Sequence, residues 1–273
     1  MGYSSRVVNI FLTLWPFTHL VKRLSPYTPF RQLFAPLVRE EIFQVTFLPV
    51  AEEVPTPREM VLPRQVLARL IEEASHRFIY NNCICRTQEG CSKYPSDLGC
   101  LFLGDAAAHL HPSLGHRAGI EECLEHLERA SEAGLVGMMG HLWMDATALG
   151  VMHRFHRFLV VCFCCDCCCM VRTDLREAGP EFKRTIKKLD AVKVRVTGEC
   201  RGCGTCVETC FVGAISLRGD RAFIDPESCK GCGRCAMVCP QKAIEVDFDD
   251  GDAVWRELLD RVRHVLRDDT QQT

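Results

Sequence analysis

The sequence lacks the loops that hold nucleotides: no G-x-G-x-x-G and no G-x-x-x-x-G-K occurs anywhere in its 273 residues. It also lacks C-x-x-C-H, which excludes covalent haem attachment. Charge of one sign is missing too. With 33 Lys and Arg against 35 Asp and Glu the formal net charge is -2, so no basic field exists to draw in nucleic acid. Long apolar runs are absent. The longest candidate, residues 7–21, falls short of the ~20 residues a spanning helix needs and is interrupted by Pro16. No small-residue cleavage site follows it and no twin arginine precedes it. Two readings of residues 7–24 stand. One is a helix laid on the core. The other is an interfacial helix making peripheral membrane contact, favoured by Phe11, Trp15 and Phe17 with Arg6, Lys22 and Arg23 as flanking cations.

What the sequence does have is cysteine, 19 of them. Disulfide frameworks belong to short secreted chains. Here the count is odd, the chain is long, and many cysteines stand one or two residues apart. That pattern suits metal or cluster ligation and a reducing, cytoplasmic-type compartment.

The cysteines fall into two territories. Downstream, residues 198–215 and 227–244 repeat at an offset of 29. Cys200, Cys203, Cys206 and Cys210 map onto Cys229, Cys232, Cys235 and Cys239. Gly202 and Gly204 map onto Gly231 and Gly233, and Ala214-Ile215 onto Ala243-Ile244. Each half reads C-x-x-C-x-x-C-x-x-x-C, an internal duplication. Three thiols at this spacing wrap one tight loop, and the glycines let it turn. The fourth lies on the next helical turn and points away. Eight thiols exceed the four that a zinc ribbon needs.

These residues resemble the bacterial-type two-cluster ferredoxin family over about 57 residues, 192–248. The resemblance implies two 4Fe–4S clusters with exchanged fourth ligands. One cluster takes Cys200, Cys203, Cys206 and Cys239. The other takes Cys229, Cys232, Cys235 and Cys210. The family's Cys-Pro is kept at Cys239-Pro240, but the first half has Cys210-Phe211, a change expected to alter local geometry only. Short strands are expected at 192–197, 214–217, 221–225 and 243–247, with Ile215, Phe223, Ile224 and Ile244 shielding the clusters.

Upstream, ten cysteines form two groups: Cys83, Cys85, Cys91 and Cys100, then Cys162, Cys164, Cys165, Cys167, Cys168 and Cys169. They match no derivable ligand spacing. Four to eight of them suffice for one or two further iron–sulfur clusters; the competing reading is a set of structural or redox-active thiols with occasional zinc. On a short strand, Cys162 and Cys164 share one side, and Cys168 falls in the same alternation. The Cys83-Ile-Cys85-Arg86 element is similar to one in a group of uncharacterised prokaryotic iron–sulfur proteins that carry it upstream of a two-cluster module. Arg86 reads equally as a cation beside a cluster and as a helix cap. His109 and His111 read as ligands or proton donors, or as ordinary surface. Cys123 lies on the apolar face of a helix and is a core residue.

Apolar periodicity places helices over 63–79, 118–133, 142–151 and 254–266, and strands over 46–50 and 158–161. The expected fold class is α+β. Residues 1–62 form an irregular N-terminal segment, 63–172 a mainly helical cysteine-rich domain, 173–191 a connector, 192–248 a two-cluster ferredoxin domain, and 249–273 a C-terminal helix and tail. The expected function is electron carriage between redox partner proteins. The alternative is an oxidoreductase whose upstream thiol site is catalytic and is fed by the duplicated domain.

Overall fold

Strand alternation sorts the upstream side chains into two cores. In a computed structural model, which describes residues 1–24, 27–39, 42–48, 63–177, 183, 186, 188–248 and 251–266, the organising element is an antiparallel sheet. Its strands are β1 (Phe43–Leu48), β2 (Arg77–Tyr80), β3 (Leu101–Leu103), β4 (Gly115–Arg117), β5 (Val136–Leu142) and β6 (Leu159–Cys164). Their spatial order is β1-β5-β6-β3-β2-β4. Ile79, Leu101, Leu103, Leu159 and Val161 face one core, while Phe78, Tyr80, Phe102 and Val160 face the other. Period-two alternation on both faces makes this a sheet covered on each side.

The first core is roofed by the helices Pro63–Glu73 and Ile120–Glu132. Val66, Leu67, Leu70 and Ile71 come from one and Cys123, Leu127 and Ala130 from the other. Cys123 is fully buried, and desolvation pushes its thiol up to about 12, as befits a core residue. The second core is covered by Ala106, Ala107, Leu110, Ala146, Leu149 and Val8 of the first helix. Gly99 sits in close backbone approach: a Cβ there would stand 2.0 Å from the Tyr80 carbonyl oxygen.

Several elements differ from the sequence expectation. The helix expected over 63–79 ends at Glu73. Arg77 folds back so that its Nη1 donates to the carbonyls of Ile71 and Ala74 at 2.8 and 2.6 Å, closing the last turn. Phe78-Ile79-Tyr80, rich in strand formers, then enters the sheet as β2. Helices cover more of 63–172 than strands do, yet the sheet that organises them was not expected. β5 was missed because all seven of its residues are buried and Gly-Met-Met-Gly shows no alternation. The helix expected over 142–151 shortens to Trp143–Ala148.

The N-terminal segment is more regular than its prolines suggest. Short helices span Ser5–Leu12, Trp15–Leu24 and Thr28–Phe34. Pro16 and Pro29 each occupy the second position of a helix, where no intrahelical N–H is needed. The strand expected at 46–50 is β1; positions 49–62, the connector positions 178–182, 184, 185 and 187, and the tail positions 267–273 lie outside the described residues. No helix among the described residues is long and apolar enough to cross a membrane.

Downstream, β7 (Val192–Val196) pairs with β10 (Ile244–Phe248), and β8 (Ile215–Arg218) with β9 (Arg221–Ile224). The closing helix Gly251–Leu266 buries Val254, Trp255, Leu258 and Val262. The first core runs without interruption from the sheet into this duplicated unit. Phe211 is the junction. It is buried and stands edge-on to Phe47 of β1, with ring centres 5.1 Å apart. Its place in the repeat therefore does more than alter local geometry, which corrects the expectation.

Candidate metal centres

In the duplicated unit each loop is set by glycine. Gly204 and Gly233 take φ of 82° and 74° immediately before the helices Thr205–Thr209 and Arg234–Met237. These left-handed positions favour glycine. They turn each loop so that its cysteines gather around one hollow, with Cys203 at an exposed rim. Two cavities result. One is lined by Cys200, Cys203, Cys206 and Cys239. The other is lined by Cys210, Cys229, Cys232 and Cys235. Each therefore takes three thiols from one half and the fourth from the other. Ile244 lines the first and Ile215 the second; Phe223 instead lies under the Arg218 guanidinium, 3.3 Å away.

Backbone amides point at the sulfurs. Ala214 and Ala243 donate to Cys210 and Cys239, each at 3.3 Å. Ala222 donates to Cys200 and Gly231 to Cys229, each at 3.4 Å. Such donors stabilise negative charge on sulfur. Burial pushes the thiols of Cys206, Cys229, Cys232 and Cys235 above their ordinary values. Four thiols around each hollow, with N–H donors aimed at two of them in each, are a donor set that suits a thiophilic metal centre.

The ten upstream thiols separate into three sets. Cys83, Cys85, Cys164 and Cys169 converge where the turn before the helix Ile84–Gln88 meets the end of β6. Cys83 is lowered to about 6, first by its side-chain interaction with Cys85, against burial and with help from Arg86. Cys85 is pushed up by Cys83, burial and Cys169. Cys164 is pushed up by Cys169, burial and Cys85. Cys91, Cys165, Cys167 and Cys168 form a second, more exposed set whose ligand atoms all lie within 4.8 Å of one another. Cys100 and Cys162 are a cross-strand pair, one register step beyond Leu101 and Val161, with sulfurs 3.1 Å apart.

Two buried cations serve these sets. Arg86 donates to the carbonyls of Phe163, at 2.7 Å, and Leu98. Burial opposes its charge, and the thiols of Cys83, Cys165 and Cys100 raise its pKa. It is the cation beside the thiols, not a helix cap. Arg172 was not singled out by the sequence. It is 2% exposed, and none of its three guanidinium nitrogens has a hydrogen-bond partner among the described residues. It lies over the Phe211 ring at 4.8 Å and acts on Cys164, Cys169 and Cys232. A buried, unpaired guanidinium is costly, and its position between two thiol sets fits anionic centres on both sides. No sequence signal marks it, because Arg172 lies on a charged stretch that reads as surface.

His109 and His111 are not gathered with the thiols. The His109 carbonyl accepts from the Gly2 amide at 2.6 Å. His111 Nδ1 pairs with Ser113 at 2.8 Å, and Ser113 Oγ accepts from the Ser5 amide. Both hold the N-terminal segment.

Comparison with known proteins agrees with the downstream geometry. A family model described as the 4Fe-4S dicluster domain matches residues 199–247, so this stretch is a ferredoxin-like iron–sulfur domain. No curated protein and no solved structure matches the chain.

Proposed function

We propose that the chain is an electron carrier holding two 4Fe–4S clusters in its duplicated domain and a further iron–sulfur site at Cys83, Cys85, Cys164 and Cys169. The observation that carries this reading is the pair of cavities, each lined by three thiols of one repeat and the fourth thiol of the other. A cubane bound there supplies one-electron chemistry. The residues around it hold the thiolates and aim amides at the sulfurs. Arg172 supports a route between the two regions, because it acts on Cys232 of one downstream cavity and on Cys164 and Cys169 upstream. Donor and acceptor are redox partner proteins rather than nucleic acid. Anaerobic purification with iron and sulfide counting tests the proposal. About twelve irons per chain are expected, eight downstream and four upstream. Colourless, iron-free protein would sink it.

A second reading has its own observation. Cys100 and Cys162 lie outside both upstream quartets at 3.1 Å, beside Tyr80 and Asp145, which suits a thiol–disulfide couple and an oxidoreductase activity. Alkylation after mild oxidation should protect two thiols in the wild type, and protection should vanish in Cys100→Ser. Membrane contact through residues 7–24 is supported by the exposure of Ile10, Phe11, Leu14, Phe17 and Leu20 on two consecutive short helices and the turn between them. Flotation with anionic vesicles tests it, and retention in the dense fraction would refute it.

A further inference from the structure

The tightest gathering of ligand atoms in the described chain is not in the duplicated domain. The sulfurs of Cys91, Cys165, Cys167 and Cys168 all lie within 4.8 Å of one another. Cys91 and Cys167 stand 3.6 Å apart, and Cys167 and Cys168 3.5 Å. Among the described residues the eight downstream thiols make no group so close, nor do Cys83, Cys85, Cys164 and Cys169. The spacing has a chemical meaning. One tetrahedral ion with bonds of about 2.3 Å to sulfur holds its ligands about 3.8 Å apart. A cubane gives each cysteine its own iron corner and spreads the sulfurs to about 6 Å.

We propose that Cys91, Cys165, Cys167 and Cys168 hold a single tetrahedral zinc ion, distinct from every iron–sulfur centre of the chain. The assignment does not depend on the proposed electron-carrying function; it removes four thiols from the set available to upstream clusters.

The surroundings fit a closed structural site. Gly90, at φ of 59°, turns the chain after the helix Ile84–Gln88, and the Cys91 amide bonds the Arg86 carbonyl at 2.9 Å. The Cys168 amide donates to Cys165 Sγ at 3.2 Å. Four protein sulfurs leave no open coordination position, and zinc carries no electrons, so the ion has no part in redox transfer.

Its task is mechanical. Asp166 lies between two ligands in sequence and accepts from Lys93 at 3.1 Å and from Arg234 at 2.6 Å. Arg234 stands between Cys232 and Cys235 of the downstream domain and also bonds the Gly134 carbonyl and the Tyr94 hydroxyl, at 3.0 and 2.9 Å. The ion thus pins the loop that presents Asp166 to one of the two downstream cavities.

The test uses the full chain purified without oxygen and without chelator. About one zinc per chain is expected, with zinc X-ray absorption reporting four sulfurs at about 2.3 Å and no second metal nearby. In Cys91→Ser, zinc should fall at least tenfold while iron and sulfide per chain stay unchanged. Loss of about four irons in Cys91→Ser would instead assign these thiols to a cubane and overturn the proposal. Should that variant fail to accumulate, the wild-type absorption spectrum decides alone: zinc in a four-sulfur shell sustains the assignment, and its absence overturns it. Failure of the iron count downstream would leave this zinc result intact, so the two readings fall separately.

Discussion

At each downstream cavity three of four thiols come from seven consecutive residues, 200–206 or 229–235, and short helices with left-handed glycines place them. The upstream quartet of Cys83, Cys85, Cys164 and Cys169 draws instead on two segments far apart in the chain. They meet because β2, which leads into Cys83, and β6, which ends at Cys164, lie on either side of β3 in the sheet. The first arrangement is organised by local backbone geometry. The second is organised by strand register, where a slip of one residue would turn Cys162 and Cys164 to the opposite face. Local sites carry a readable spacing, whereas sites built by register do not.

The largest expected effects test the exchange of ligands between repeats. Cys239→Ala should empty the cavity of Cys200, Cys203 and Cys206, and Cys210→Ala the cavity of Cys229, Cys232 and Cys235. Each variant should lose about four irons per chain while the other cluster keeps its electron paramagnetic resonance signal. If Cys239→Ala instead removed the signal assigned to the Cys229 loop, the two repeats would be ligating independently.

A smaller effect probes the boundary between the regions. Arg172 is buried without a hydrogen-bond partner among the described residues and acts on thiols of both. Arg172→Gln removes a positive charge beside centres that become more negative on reduction. Their reduction potentials should fall by on the order of 50–100 mV, taking an effective interior dielectric near 20. Redox titration of the variant checks this. Unchanged potentials would mean that the guanidinium serves the fold alone.

How much of this was legible follows from the same contrast. The repeat at 29 residues and its eight thiols stood in plain view, since ligand spacing in a tight loop is itself local. The helix Ile120–Glu132 and the burial of Cys123 were also readable from one apolar stripe. β5 was not, because a strand buried on both faces loses its alternation. The three-way division of the upstream thiols was not, because it depends on which strands are neighbours. Phe211 lies between. Its departure from the Cys-Pro pattern was visible, but its purpose, packing on Phe47 and under Arg172, needed the partner surface.

The smallest expected effect sets the two regions apart by pH. Burial raises the Asp145 carboxyl from 3.8 to about 6, beside the Cys100–Cys162 pair of the upstream region. The folded chain therefore holds this proton more tightly than the unfolded chain does. The stability it contributes is complete below about pH 4 and is lost as pH rises through about 6. Asp145→Asn keeps the shape and cannot ionise. The variant should match the wild type near pH 4 and exceed it by about 1 kcal/mol at pH 8, a figure discounted because the residue is only half-buried. Denaturant midpoints at the two pH values measure it. An equal gain at both would show that the carboxyl does not titrate in this range.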